Sequence, residues 1–153
     1  MNPNVQSQKY LRTKVLTATA EQLQLMLFDG AIRFGEQARV ALQNKNYEVS
    51  YQLLTKTSAI VNQLICALKE DVSPDLCKKL KGLYAYVYRK VVDANLNHHM
   101  ESLEEAIGIL KHQRETWVML MEQLTKTKAA AAASSIPIPG PDPRMEATIS
   151  MQG

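Results

Sequence analysis

Thr19-Ala20-Glu21-Gln22-Leu23-Gln24-Leu25-Met26-Leu27-Phe28-Asp29-Gly30-Ala31-Ile32-Arg33-Phe34 decides the fold class, and it continues without a proline to Leu42. Thr19 can cap the exposed amides of a helix start, and Gln22, three residues on, can reach back to close a capping box. Leu23, Met26, Leu27, Gly30, Ala31, Phe34, Ala38, Ala41 and Leu42 then recur at the three-and-four spacing that gathers side chains on one helical face. The spacing predicts a helix over about 20–43. Leu25, Phe28 and Ile32 fall outside this stripe and give the helix a second apolar edge.

Three more segments repeat the pattern. Asn46, after the turn Asn44-Lys45-Asn46, is a suitable N-cap for a helix reaching about Glu70, with Val49, Leu53, Leu54, Thr57, Ile60, Val61, Leu64 and Leu68 on its face. After Asp71-Val72 the chain restarts at Ser73, a candidate cap. Pro74 follows at the first helical position, where its missing N–H costs nothing. The helix predicted over about 74–97 carries Leu76, Leu80, Leu83, Tyr84, Val87, Val91 and Ala94 in register. His98-His99 separates it from a last helix over about 100–126, with Leu103, Ala106, Ile107, Leu110, Arg114, Trp117, Leu120 and Leu124 in line. Connections this short force sequence neighbours to run antiparallel. The expected fold is therefore all-α: an antiparallel up-and-down four-helix bundle over 19–127, preceded by an arm (1–18) and followed by a disordered Ala/Pro-rich tail (128–153).

Composition narrows the function classes. The 153 residues suit one compact bundle rather than a multidomain enzyme. No apolar run is long enough for a membrane span, and the first residues lack the basic-then-apolar pattern of a secretory signal, so a cytosolic protein without membrane insertion is expected. Lys9, Arg12 and Lys14 give the first 20 residues a charge of +3, and the remaining 15 basic and 15 acidic residues cancel. Three charges on an arm are too few for a nucleic-acid footprint. Cys66 and Cys77 lack CxxC spacing and are expected as buried or half-buried free thiols.

Catalytic and metal chemistry find no support. His98, His99 and His112 have no glutamate three residues earlier, the pairing that bundle metal sites use. Glu101, Glu104 and Glu105 fit the positive end of a helix dipole. There is no phosphate-binding or nucleophile-elbow motif. The expectation is a protein that is not an enzyme and has no cofactor and no metal. Asp29, set inside an apolar run, is the unusual carboxylate; it can belong to a site or pair with an arginine of another helix.

Apolar area is where the chain exceeds the needs of a core. Tyr84, Tyr86 and Tyr88 cannot all face one core, because side chains two apart on a helix point about 200° from each other. At least one tyrosine must look outward. With Phe28, Ile32 and Val92 also off-stripe, either a wide core or an exposed groove for a partner would account for the surplus.

Tyr10 followed by Val15-Leu16-Thr17-Ala18-Thr19 and the run to Phe34 resembles the opening of the FliS family, the export chaperones of flagellin. Leu83-Tyr84-Ala85-Tyr86-Val87-Tyr88-Arg89-Lys90-Val91-Val92-Asp93-Ala94-Asn95-Leu96 is similar to that family's tyrosine-rich block, and Arg114-Glu115-Thr116-Trp117 to its last-helix motif. Ala20 stands where a proline is common, Phe28 where a tyrosine is, and Asp93 where a glutamate is.

The resemblance implies a bundle that binds the disordered C-terminal segment of newly made flagellin, keeps it from polymerising, and passes it to a component of the flagellar export apparatus. It implies a groove drawn from Leu23, Leu27, Asp29, Ile32, Tyr86, Arg89, Val92, Asn95 and Leu96, with Leu103, Ile107 and Leu110 on the last helix. It also implies a displaceable arm, Tyr10, Leu11, Val15 and Leu16, lying over part of that groove. Asn95 can fix the client's register through its amide or cap the third predicted helix. Sequestration of another flagellar factor by an adaptor bundle stays open as a second reading, and so does a homodimer.

Overall fold

The computed structural model describes residues 3–70 and 73–134, and places them in α1 (Pro3–Thr17), α2 (Ala20–Gln43), α3 (Tyr47–Cys66), α4 (Pro74–Asn97) and α5 (Met100–Ser134). The chain forms two compact units, Met1–Met119 and Leu120–Gly153. In the first, α2, α3, α4 and the initial turns of α5 make the antiparallel four-helix bundle.

Local chemistry sets most of the helix ends. The Gln22 N–H donates to Thr19 Oγ1 at 3.1 Å and the Thr19 N–H donates to Gln22 Oε1 at 3.0 Å, completing the capping box. The far end of α2 closes in a Schellman motif: Lys45 N–H bonds the Leu42 carbonyl and Asn46 N–H the Ala41 carbonyl, with Lys45 left-handed at φ 57°. Asn46 then caps α3 through Val49 N–H at 3.4 Å.

Four expectations change. Ser73 makes no side-chain cap, so α4 starts on Pro74 and on the Cys77 N–H to Ser73 carbonyl bond alone. α3 stops at Cys66 rather than near Glu70, because Leu68 N–H takes the tighter bond to Ile65 O and ends the α-helical register. α5 continues through the alanine run to Ser134 instead of ending near 126, since alanine has the strongest helix propensity and the first proline comes only at 137. The arm expected over 1–18 as a loose segment is itself helical from Pro3, yet buries none of its residues. The rest of the expected tail, 135–153, lies outside the described residues.

For Phe28, off the main stripe, the wide core is the alternative that holds, since the residue is only 1% exposed. α2 is flanked by α3 on one side and α5 on the other, so its apolar arc must be wider than a single stripe. The Phe28 ring meets Tyr84 of α4 edge-on, centroids 6.2 Å apart at 72°, with Leu54, Val61 and Leu64 of α3 and Leu103, Ala106 and Leu110 of α5 completing the interior. A Cβ on Gly30 would come 3.3 Å from Ile60 Cδ1, and one on Gly35 3.1 Å from Ile107 Cγ1, so the glycines let α3 and α5 approach the α2 backbone. Cys77 is buried as expected, whereas Cys66, at the end of α3, is exposed.

The α4–α5 turn is held by Asp93. Its carboxylate accepts from Ser102 Oγ at 2.5 Å and from Asn97 Nδ2 at 2.8 Å, and His99 Nδ1 lies 2.9 Å away. His98, left-handed at φ 52°, ends α4 and stacks on Tyr47 with ring centroids 3.8 Å apart. The Ser102 hydroxyl first, then Asn97 and His99, holds the Asp93 carboxyl well below the usual carboxylate range. A carboxyl lowered by folding contributes stability that is full above its unfolded value of about 4 and is lost as pH falls through the folded value. Asp93→Asn is expected to lower the Tm at pH 7, and the gap to the parent should narrow progressively below about pH 4. A gap independent of pH in thermal melts would show that the carboxylate charge is not what holds the turn.

Candidate functional site

The bundle leaves the outer edge of α4 incompletely covered where it runs beside α3. Val92 is half-buried, Leu96 is 73% exposed, and Tyr88, one turn earlier, is exposed as well. Positions 88, 92, 95 and 96 share one face by helical spacing, and Arg89 borders it. Across the seam, Thr55 Oγ1 of α3 accepts from Asn95 Nδ2 at 3.4 Å and donates to the Tyr51 carbonyl at 2.7 Å. Tyr51, one turn before Thr55, is 59% exposed. Asn95 Oδ1 is shut off from solvent and has no hydrogen-bond partner among the described residues. An acceptor left in that state costs about 1–3 kcal/mol, so the fold alone does not account for it.

The sequence-expected groove residues do not form one surface. Val92, Asn95 and Leu96 come together on α4 with Arg89 beside them. Tyr86 points the other way, toward α5: its hydroxyl donates to Glu105 Oε1, and Lys90 Nζ lies 3.5 Å from Glu105 Oε2 and 5.4 Å from the Tyr86 ring. The Tyr86 hydrogen bond first, and then the Lys90 charge, hold the Glu105 carboxyl below its ordinary value against the opposing effect of desolvation, and the same bond pushes the Tyr86 hydroxyl up. Of the three tyrosines, Tyr84 is buried in the core, where desolvation pushes it up to about 12, Tyr86 is half-buried, and Tyr88 looks out.

On α2, Leu23 and Leu27 are half-buried, and Leu27 and Ile32 pack against the core. Asp29 is exposed but already paired, its Oδ1 accepting from Arg114 Nε of α5. About two turns of α5 are thereby tied to α2, since Lys111 Nζ meets Glu36 Oε1 at 2.6 Å and Trp117 Nε1 donates to the Glu21 carbonyl at 3.0 Å.

Three of the residues drop out of any open groove. Leu103 and Leu110 are fully buried and Ile107 is 5% exposed, because α5 seats this stripe against the α2 and α4 interior. Asn95 is not a helix cap, a place taken by His98. The arm residues Tyr10, Leu11, Val15 and Leu16 are all exposed on α1. Tyr51 is the residue that sequence reading missed. Its available signal was the tyrosine pair 47 and 51, at i and i+4 and off the apolar stripe of α3.

Among the described residues, no three His, Cys, Asp or Glu side chains converge as a metal site would require. No described helix is long and apolar enough to cross a membrane.

Comparison with known proteins agrees with this architecture. A solved structure described as a flagellar chaperone from bacteria superposes with a TM-score of 0.64 at 18% identity, covering 79% of this chain and 99% of that one, which establishes a shared fold. The Salmonella typhimurium flagellar secretion chaperone FliS is 30% identical over 112 residues, 72% of this chain and 83% of that protein. The Bacillus subtilis flagellar secretion chaperone FliS is 29% identical over 117 residues, 76% of this chain and 86% of that protein. The family model for flagellar protein FliS matches residues 2–124, which takes in α1 through the Arg114–Trp117 clamp, and the chain belongs to the FliS family.

Proposed function

We propose that this protein is a cytoplasmic export chaperone that binds the disordered C-terminal segment of newly made flagellin, keeps it from polymerising and hands it to the flagellar export apparatus. The family and the names of its curated relatives, flagellar secretion chaperones, support the general role. The observation that carries the finer reading is the α3–α4 face, where Tyr51, Tyr88 and Leu96 stand exposed beside the half-buried Val92 and Asn95. An amphipathic client helix laid along this face would cover these exposed apolar side chains.

Disorder in the client has a thermodynamic use. A segment that folds on binding can bury on the order of 1,000–3,000 Å² while the cost of ordering it keeps the complex reversible, as hand-over for export requires. The helical arm enters the same cycle as a competitor. Tyr10 and Leu16 are more than two-thirds exposed on α1, so the arm has apolar surface to gain by docking on the client's site and to lose when the client arrives.

Coexpression with flagellin, intact or lacking its last roughly 40 residues, a helical length comparable to the bundle, should yield a copurifying complex only with the intact client. Equal recovery of both would refute this mode of binding. Leu96→Asp is the cleaner probe of the face than Ile32→Asp, because Ile32 packs against the core. It should weaken flagellin binding about tenfold or more while leaving stability within about 0.5 kcal/mol. Undiminished binding by a folded Leu96→Asp protein would move the client elsewhere. Removing residues 1–18 should tighten binding in the same titration if the arm competes, and an unchanged affinity would dismiss that role.

A further inference from the structure

On α4, Lys78, Gly82, Ala85, Arg89, Val92 and Leu96 follow one another in steps of four and three residues, the spacing that keeps a seam turned toward a second helix. Tyr84, Val87, Val91 and Ala94 put the core on the other side of α4, so the seam points away from the bundle. Lys78, Gly82, Arg89 and Leu96 are exposed, while Ala85 and Val92 are half-buried. A Cβ on Gly82 would meet nothing within 4 Å, so no described part of the chain covers the middle of the seam. Its upper positions, Val92 and Leu96, belong to the face already proposed for the client.

The charge along this seam is of one sign. Among the described residues neither Lys78 nor Arg89 is in an ion pair, and the Arg89 guanidinium only leans toward the Tyr86 ring, 5.9 Å from its centroid. The neighbouring acids are engaged elsewhere: Glu70 with Lys81, Glu105 with Tyr86 and Lys90, and Asp93 with Ser102, Asn97 and His99. Asp75, one turn before Lys78, is exposed and pairs with neither cation. These charges narrow the occupant. A second copy is disfavoured, because α4 laid antiparallel on itself about the midpoint of Gly82 and Ala85 sets Lys78 of each copy against Arg89 of the other, and a parallel pairing sets each cation on itself. The arm is disfavoured as well, since Lys9, Arg12 and Lys14 make it basic and it holds no acid. It can gain at Val92 and Leu96, but the lower half of the seam repels it.

Resting on the flagellin reading above, we propose that the client segment lies along this seam as a helix bearing acidic side chains, which Lys78 and Arg89 recognise while Val92 and Leu96 take its apolar residues. The two cations stand three helical turns apart, about 16 Å. Client carboxylates at that separation satisfy both, and sliding the client by one turn leaves one cation unpaired. Lys78 and Arg89 thus set register where apolar contacts alone would let the client slip. Exposed pairs add little affinity each, so their weight falls on the rate of encounter and on the rejection of wrong registers and partners. The same charges favour the client over the basic arm, because the client gains at Lys78 and Arg89 where the arm is repelled.

The test titrates the full chain with a peptide of the last roughly 40 residues of the copurifying flagellin, and with the same peptide carrying Asn and Gln in place of every Asp and Glu. The natural peptide should bind more weakly as salt rises from about 0.05 M to about 0.5 M, and the acid-free peptide should bind about tenfold more weakly at low salt. Lys78→Glu combined with Arg89→Glu should cost the natural peptide about tenfold and abolish that salt dependence, while the melting temperature stays that of the parent because both positions are exposed. A peptide with Lys at its acidic positions should prefer the doubly reversed chain to the parent. The proposal is overturned if the acid-free peptide binds the parent as tightly as the natural one, or if the doubly reversed chain keeps the parent's affinity and salt dependence. Should Leu96→Asp still weaken binding in that case, the client face stands and only its charge recognition falls. If the natural peptide does not bind the parent at all, both readings fall together.

Discussion

The bundle depends on how closely α5 approaches α2. Gly35 removes the one side-chain atom that would hold Ile107 away, and with Ile107 seated, Leu103 and Leu110 reach the interior on either side of it. Polar contacts then fix the register of the antiparallel pair: Glu36 with Lys111, Asp29 with Arg114, and the Glu21 carbonyl with the Trp117 indole. Each exposed pair adds little by itself. Their order along both helices is what matters, because sliding α5 by one turn would break all three while pulling Ile107 off Gly35.

That closure determines which apolar residues remain for other uses. α2 is enclosed by α3 and α5, so even Phe28, off its main stripe, is absorbed into the core against Tyr84. α4 is absorbed only in part. Its inner side carries Tyr84, Val87, Val91 and Ala94, its α5 side is sealed by Tyr86, Lys90 and Glu105, and its α3 side keeps Val92, Asn95 and Leu96 in reach of an incoming chain. The Asp93 turn fixes the end of this face by joining α4 to the first turn of α5. The face proposed for the client and a folding clamp therefore occupy opposite flanks of one helix, a few residues apart in the tyrosine-rich block.

The family motifs divide along the same line. Arg114 and Trp117, which help mark the chain as a FliS protein, are spent on holding α5 to α2, and Asp29 serves there too. Residues shared for folding and residues shared for binding look alike in a linear motif. For this reason Asp29, Leu103, Ile107 and Leu110 were expected in the groove and instead belong to the bundle's own contacts.

The sequence by itself determined the four helices of the bundle, their antiparallel arrangement and the family. Caps, turn residues and three-and-four periodicity act over a few residues, so α2 and α4 were legible to their ends, as was the outward turn of at least one of the tyrosines at 84, 86 and 88. Where helix ends rest on competition between local bonds, as at Leu68, or on propensity without a stop signal, as in the alanine run, the pattern was less decisive. Only the tertiary structure decided which side of each helix was left over. Periodicity states that a residue lies on a given arc, but whether that arc is covered depends on the helices beside it. The closed-off Asn95 oxygen, without a partner among the described residues, and the exposed Tyr51 each depend on how helices distant in the chain pack, and no local spacing encodes them.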